Sequence, residues 1–349
     1  MNVQITDNLD RQTDRQTDRQ TDRQTDRQTG ISAECSNCLK GIFAVCVLAH
    51  HLYQNSGLFQ GTAIGSCLQA LGYLSVSVFF FLSGYGLSAS YRRGGEAYVG
   101  RFPRRRLMPF YCFILFFTAV YFAKGVLFGR TYSVCAIVKS LIFGGTIIAN
   151  GWYLQIQLLL YLMFFATFRV AKESRTQLTA ICLECLTLSA ALYALDYYSW
   201  WFEGTFAFPA GMLWEMRESG KSCHERKKTT AFWQEALICV LFGGMIIGWK
   251  MFDNANLALL CKMISAVLFP MAVAGAVRYI PVENRMTRLL GKYSAEIYVV
   301  QGLFLGLFHS QLLMIENPYL YVIAAGITTL AAAVLLYPVV QRIYAAVRK

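Results

Sequence analysis

From about residue 39 to the end of the chain, apolar residues are grouped into runs separated by short polar segments. Most of these runs hold about 20 residues with few charges, which is the length that crosses a lipid bilayer as an α-helix. The pattern predicts ten spanning helices, of which the sixth is short, at about 39–57, 68–90, 107–128, 152–169, 178–196, 204–216, 231–249, 256–278, 293–312 and 319–341. We therefore expect an all-α protein that forms a polytopic transmembrane helical bundle.

A further apolar stretch, at about 133–149, interrupts this series. It contains Lys139 and two adjacent glycines, Gly144 and Gly145. If it crossed the membrane, the polar segment 170–177 would change sides and basic residues would no longer be confined to one side. We therefore expect a re-entrant or interfacial segment and not an eleventh span.

The N-terminal segment has a different composition from the rest of the chain. Four copies of RQTD run from Arg11 to Asp26. Each copy carries one positive and one negative charge and no apolar residue, so the segment cannot bury a core. We expect residues 1–36 to be a disordered low-complexity tail and residues 37–349 to be the transmembrane domain.

Basic residues mark one side of the predicted bundle. They concentrate in the predicted loops 91–106, 170–177, 217–230 and 279–292 and at the C-terminus, and they are few in the opposite loops. This asymmetry predicts a multi-pass protein of the cell (cytoplasmic) membrane with both termini in the cytoplasm. Because these loops beside anionic headgroups account for the net charge of +12, we expect membrane lipids and no nucleic acid as partners.

The first predicted span carries titratable side chains, which are costly inside a membrane and therefore indicate function. Lys40 and His51 are eleven residues apart, or about three turns, so they share one face about 16 Å apart along the helix axis. His50 points about 80° away from that face. Imidazole is a natural general base near neutral pH, which predicts a catalytic role for His51. A histidine that hydrogen-bonds a neighbouring helix for packing is the open alternative.

Other features could contact a ligand, and each has a structural alternative. The basic run Arg104–Arg106 suits a phosphate group, although a topology signal also explains it. Ser83 lies among glycines that either open space for a substrate or let helices pack. Trp152 and Gln157 begin the fourth span, where aromatic residues form an interfacial belt and a buried amide needs a partner. The sequence contains no P-loop, HExxH or GxSxG motif and no metal-ligand cluster, so we expect no metal.

Six segments in this order resemble the landmarks of acyltransferase family 3, a family of membrane-bound O-acyltransferases. They are LKGIFAVCVLAHH (39–51), VFFFLSGYGLS (78–88), RRRLMPFY (104–111), NGWYLQIQLLLYL (150–162), FAFPAGML (206–213) and LLGKYSAEIYVVQ (289–301). The resemblance covers about residues 37–340. It implies about ten helices and transfer of an acyl group, usually acetyl, from cytoplasmic acyl-CoA to a hydroxyl of a glycan or another envelope acceptor.

The resemblance also implies roles for particular residues. His51 matches the histidine of the family's first helix, and Lys40 stands where the family has arginine, a change that keeps the charge but loses the bidentate fork. Two further positions depart from the pattern, because Gln157 and Gln301 stand where many members have glutamate and histidine. We expect CoA phosphates to bind Lys40, Arg104, Arg105 and Arg106, and substrate to contact Ser83, Trp152, Gln157 and Gln301.

The sequence therefore predicts an integral membrane O-acyltransferase that moves an acyl group from acyl-CoA to a glycan or a lipid-linked sugar. In this hypothesis His51 removes the proton of the acceptor hydroxyl as it attacks the thioester. The alternatives are a transporter or flippase of a glycan or lipid-linked sugar, and a non-catalytic partner in envelope synthesis.

Overall fold

The computed structural model describes residues 30–220 and 228–348. Within these ranges the chain is helical and contains no β-strand, which confirms the predicted all-α class. The α-helices, in chain order, are α1 (Ala33–Ser56), α2 (Ala63–Phe102), α3 (Met108–Leu127), α4 (Val134–Leu141), α5 (Trp152–Val170), α6 (Ser174–Ala194), α7 (Ala207–Ser219), α8 (Lys228–Met251), α9 (Ala255–Ala276), α10 (Arg285–Lys292), α11 (Ser294–Leu307) and α12 (Pro318–Arg348).

The predicted spans all overlap helices, but not every helix has the length of a span. Seven helical stretches of the described residues are long and apolar enough to cross a membrane, and one of them, Ala63–Leu127, includes both α2 and α3. Helix α7 has 13 residues and α11 has 14, which is shorter than the roughly 20 residues that a bilayer requires. Helix length alone therefore does not reproduce the predicted ten spans.

Helix α1 begins before the predicted start of the transmembrane domain at residue 37. The Ser32 side chain accepts a hydrogen bond from the Cys35 amide at 2.9 Å and so satisfies one of the amides left free at a helix N-terminus. Glu34, in the first turn, forms an ion pair with Arg288 of helix α10. The first turn of α1 therefore includes residues 33–36 of the predicted tail, whereas the repeats at 11–26 lie outside the described residues.

The basic segment 91–106, predicted to be a loop, is instead helical. Helix α2 continues to Phe102 and bends at Gly95, whose φ of 52° and ψ of −142° interrupt the helical geometry. A π-helical turn, Pro103–Leu107, then joins α2 to α3. Arginine is a good helix former, so a basic composition does not end a helix, and only Gly95 and the π-helical turn interrupt the α-helical geometry here.

The stretch 133–149 folds back on the protein as the short helix α4 followed by irregular backbone. The side chain of Gln155, only 3% exposed, satisfies that backbone. Its Nε2 donates to the carbonyl oxygens of Lys139 and Gly145, both at 2.9 Å, and its Oε1 accepts from the Gly144 amide at 3.1 Å. Irregular backbone at membrane depth needs such partners within the protein. With eight residues, α4 is too short to span.

Helices α1, α2 and α11 form the centre of the bundle, where α1 packs against α2, α10, α11 and α12. Helix α2 packs most extensively against the short helix α7. The two helices approach closely because a Cβ on Gly84 would overlap the carbonyl oxygen of Phe208, and one on Gly211 would overlap that of Phe81. Glycines at this crossing therefore serve helix packing, which is their common role in membrane proteins.

Candidate functional site

Among the described residues, four cavities each share wall residues with a neighbour. The histidine cavity has a volume of about 300 Å³ and contains His51 in its wall. It shares Tyr298 with the middle cavity, of about 170 Å³. The middle cavity shares Lys40 and Ser83 with the Lys40 cavity, of about 360 Å³. The Lys40 cavity shares Arg106 with the arginine cavity, of about 560 Å³.

The hydrogen bonds of His51 define which ring nitrogen is basic. Its Nδ1 lies 3.3 Å from Oε1 of Gln54, an acceptor, so Nδ1 carries the proton. Its Nε2 lies 3.1 Å from the amide Nδ2 of Asn150, a donor. In this tautomer the lone pair of Nε2 accepts from the Asn150 amide in the wall of the histidine cavity, so it can take a proton only from a group that replaces that amide.

Asn150 is held in an uncommon backbone conformation. Its φ is +58°, which is the left-handed region that asparagine tolerates better than most residues. The hydroxyl of Tyr298 donates to the Asn150 carbonyl oxygen at 2.9 Å and so connects α11 to the turn before α5. This turn places the Asn150 amide directly against His51.

His50, and not His51, hydrogen-bonds a neighbouring helix, which is the structural alternative considered from the sequence. Only 8% of this residue is exposed, its Nδ1 donates to the Leu68 carbonyl oxygen at 2.9 Å, and its ring covers Gly72, where a Cβ would come within 2.6 Å of it. The two adjacent histidines therefore have different surroundings. His50 binds helix α2, whereas His51 binds two side-chain amides.

A buried ion pair lies in the wall of the histidine cavity. The ammonium of Lys262 is 2.6 Å from Oε2 of Glu203, whose side chain is 3% exposed. The Ser199 hydroxyl donates to the same carboxylate at 2.9 Å. Lys262 also lies over the rings of Tyr73 and Trp249, 4.9 Å and 5.5 Å from their centroids, so cation–π contacts help to hold it.

The histidine cavity is also rich in aromatic residues. Three of the six tryptophans of the chain line it, namely Trp152, Trp200 and Trp249. The structure therefore brings the predicted residue Trp152 to His51, together with two tryptophans from distant parts of the chain. Flat apolar faces and several hydrogen-bonding groups are thus present in one cavity, as in sites for amphipathic small molecules.

Two of the predicted substrate-binding residues, Ser83 and Gln157, line the middle cavity. Ser83 faces this cavity, whereas its neighbour Gly84 packs against α7. The stretch therefore contains one residue in position to contact a substrate and one that allows close helix packing. Gln157 is 1% exposed, its Oε1 accepts from the Tyr153 hydroxyl at 3.4 Å, and its Nε2 has no hydrogen-bond partner. A buried amide donor without a partner is uncommon in proteins.

Gln301 lies outside the walls of these four cavities. Its Nε2 donates to the carbonyl oxygen of Tyr298 at 2.8 Å, within its own helix, and its buried Oε1 has no partner. Ser294 and Tyr298 line the middle cavity, and Gln301 continues their stripe along α11 at positions i, i+4 and i+7. It therefore faces the interior one turn beyond the cavity wall.

The predicted phosphate-binding residues separate in the structure. Lys40 and Arg106 both line the Lys40 cavity, and Arg105 joins Arg106 in the wall of the arginine cavity. Arg104 is exposed and lies outside the walls of the four cavities. All three arginines belong to the π-helical turn Pro103–Leu107, a geometry that is frequent at functional sites.

Sequence reasoning did not select Asn150, Glu203 or Lys262. A lysine inside the apolar run 256–278 is a signal that could have been used, because a charge at membrane depth indicates function. Asn150 precedes Gly151 in a turn-forming pair, but its contact with His51 joins residues 99 positions apart. Among the described residues, no group of three or more His, Cys, Asp or Glu side chains is close enough to hold a metal ion.

Comparison with known proteins identifies the family. A family model described as an acyltransferase domain, that of acyltransferase family 3, matches residues 34–338. No curated protein and no solved structure matches the chain. Because the match covers most of the sequence, and because the helices have the length and composition of membrane spans, the chain belongs to the membrane-spanning acyltransferases of acyltransferase family 3.

Proposed function

We propose that this protein is an O-acyltransferase that moves an acyl group, in the simplest case acetyl, from cytoplasmic acyl-CoA to a hydroxyl of an envelope glycan. The observation that carries the proposal is the position of His51. Its basic nitrogen lies in the wall of a cavity that shares Tyr298 with the middle cavity, and the middle cavity shares Lys40 and Ser83 with the cavity lined by Lys40 and Arg106.

The donor enters from the end of the bundle that carries Arg104–Arg106, which faces the cytoplasm in this proposal. Lys40 and Arg106 supply positive charge for the CoA phosphates. From Lys40 to His51 the axial distance along α1 is about 16 Å, which the extended pantetheine arm covers through the middle cavity. The unpartnered Nε2 of Gln157 can donate to an amide carbonyl of that arm.

The transfer needs one base. The Nε2 of His51 takes the proton of the acceptor hydroxyl as the hydroxyl oxygen attacks the thioester carbonyl carbon. The carbon–sulfur bond then breaks, the imidazolium returns its proton to the leaving thiolate, and the products are the ester and free CoA. As the acceptor takes the place of Asn150 on Nε2, the Asn150 amide is free to donate to the carbonyl oxygen, on which negative charge develops.

The acceptor occupies the histidine cavity in this proposal. The apolar C–H face of a sugar ring fits the flat faces of Trp152, Trp200 or Trp249. Sugar hydroxyls can donate to the Glu203 carboxylate and accept from the Lys262 ammonium. This combination of aromatic faces with both a donor and an acceptor supports a glycan acceptor over a purely lipid one.

The test is transfer of label from acetyl-CoA in membranes that contain the protein or its His51→Ala variant. We expect labelled ester in the glycan fraction with the unaltered protein and none with His51→Ala at equal amounts of inserted protein. His309→Ala is the matched control, because His309 meets the ring of Tyr321 edge to face, with ring centroids 4.4 Å apart, and lies outside the walls of the four cavities.

Two results would reject the proposal. Full transfer by His51→Ala would remove the proposed base. Movement of a labelled glycan across the membrane without consumption of acetyl-CoA would identify a transporter instead.

A further inference from the structure

The arginine cavity collects positive charge from three separate parts of the chain. Arg101 comes from the end of α2, Arg105 and Arg106 from the π-helical turn, and Arg348 from the end of α12. The other described wall residues are Gly94 and Tyr98, so none of the described residues of this wall carries a carboxylate. These four arginines are exposed, so solvent screens part of the repulsion between their guanidinium groups around a cavity of about 560 Å³, and a bound anion would relieve the remainder.

Within the described part of the chain, these charges are not neutralised by acidic residues. No described carboxylate forms an ion pair with Arg105 or Arg106. Arg101 donates to the backbone carbonyl of Ala97 at 3.2 Å, and Arg348 lies over the ring of Tyr344, 5.5 Å from its centroid. None of these contacts compensates the charge.

The neighbouring Lys40 cavity differs in this respect. Its wall includes Glu215, which is 2% exposed. The carboxylate of Glu215 forms an ion pair with Arg92 at 2.7 Å and accepts from the Ser88 hydroxyl at 2.8 Å. The positive charge of the Lys40 cavity is thus partly neutralised by Glu215, whereas all charged residues described in the wall of the arginine cavity are arginines. The arginine cavity therefore suits the most highly charged group of an anionic ligand.

Tyr98 supplies a second and independent observation. Its hydroxyl is buried in the wall of the arginine cavity and has no hydrogen-bond partner. A buried hydroxyl without a partner is costly, and here it can donate to a ligand oxygen beside the guanidinium groups. A phosphate monoester has the charge and the several acceptor oxygens that suit this set.

Helix α12 connects this cavity to the proposed route of the donor. Tyr344 lines the middle cavity and Arg348 lines the arginine cavity, and as i and i+4 they lie on one face of the helix about 6 Å apart. We propose that the arginine cavity binds the 3′-phosphate of acyl-CoA, with Arg348, Arg105 and the Tyr98 hydroxyl as its contacts. This inference rests on the proposed function, because it assigns part of the donor to a second cavity.

The test compares CoA with 3′-dephospho-CoA by isothermal titration of the purified full chain in nanodiscs of neutral lipid. We expect the unaltered protein to bind CoA about tenfold to a hundredfold more tightly, as expected for the loss of charge-assisted hydrogen bonds. Arg348→Ala should weaken CoA binding about tenfold and leave 3′-dephospho-CoA unchanged. Tyr98→Phe should do the same about threefold to fivefold, and it removes only a hydroxyl without a partner, so folding is preserved.

Arg342→Ala is the matched control, because Arg342 is an exposed arginine of the same helix and lies outside the wall of the arginine cavity. The inference would be overturned if the unaltered protein bound CoA and 3′-dephospho-CoA with equal affinity, or if Arg348→Ala weakened the binding of both ligands equally. Either result would leave the proposed function standing, provided that the unaltered protein transfers label. An effect of Arg348→Ala that is seen only in nanodiscs with phosphatidylglycerol would also overturn the inference and would assign the cavity to a lipid headgroup. Loss of transfer in His51→Ala tests the proposed function separately, because His51 lies outside this cavity.

Discussion

Replacement of Asn150 by glycine tests the arrangement around His51 most directly. The substitution removes the amide that lies 3.1 Å from His51 Nε2. Glycine is the suitable replacement because Asn150 has a φ of +58°. Alanine would cost about 1 kcal/mol in that conformation, whereas glycine adopts it without strain.

The size of the effect distinguishes two roles of the amide. If it only orients the imidazole, its loss removes one hydrogen bond worth about 0.5–1.5 kcal/mol, and the rate falls about twofold to tenfold. If it also donates to the developing oxyanion, loss of that donor lowers the rate by about 10²–10³. We expect the larger effect on the maximal rate. The acetyl-CoA concentration at half-maximal rate should change little, because the proposed CoA contacts lie in other cavities.

The assay measures initial rates of label transfer from acetyl-CoA over a range of concentrations, at equal amounts of inserted protein. Asn317→Gly is the control, since Asn317 caps α12 by accepting from the amides of Tyr319 and Leu320 at 3.0 Å and 3.1 Å. Glycine is nearly as good a cap, so this variant should keep its rate. A maximal rate of Asn150→Gly within tenfold of the unaltered protein would refute the oxyanion role.

Three further predictions follow from the packing. Lys262→Met should lower stability by about 3 kcal/mol, because it leaves the buried Glu203 carboxylate unpaired. Adding Glu203→Gln should recover most of that loss, as measured by thermal unfolding in detergent. Equal melting temperatures of the single and the double variant would argue against this. Gly84→Ala should reduce the yield of monodisperse protein in size-exclusion chromatography, whereas Gly86→Ala, whose Cβ would meet no atom within 4 Å, should not; equal yields would contradict the close α2–α7 contact. Gln157→Leu should lower stability by less than about 1 kcal/mol, because Nε2 has no partner and Oε1 accepts only a long bond from Tyr153 at 3.4 Å, and it should raise the half-saturating acetyl-CoA concentration about fivefold; unchanged saturation would exclude Gln157 from the donor route.

The apolar runs predicted the helices well, because burial in a bilayer requires long uncharged segments whatever the tertiary structure. The same reasoning was wrong for 91–106, where the charges were interpreted as a loop. Charge indicates contact with water and not the absence of a helix, and only Gly95 and the π-helical turn at Pro103 interrupt the helical geometry there. Local sequence gives a weak signal for such a turn.

The candidate site was less accessible to sequence analysis, because its contacts join distant segments. Periodicity on α1 was sufficient to select His51 and Lys40, which lie on one helix face. Glu203 and Lys262 form their ion pair across the space between a loop and α9, so the position of Lys262 inside an apolar run is a signal but does not identify its partner. Arg348 at the end of α12 is brought to Arg105 only by the packing of α12 beside α3 and the π-helical turn.

The two glutamines at family positions of glutamate and histidine limit how the proposed reaction can proceed. Gln157 retains a free donor in the wall of the middle cavity and Gln301 a free acceptor one turn beyond that wall, but an amide exchanges no proton near neutral pH. Gln157 and Gln301 therefore cannot relay protons in this chain. In the proposed reaction, the proton that leaves the acceptor hydroxyl and the proton that reaches the thiolate both pass through Nε2 of His51. A substitution beside that nitrogen, at Asn150, should therefore affect the rate more than one at either glutamine.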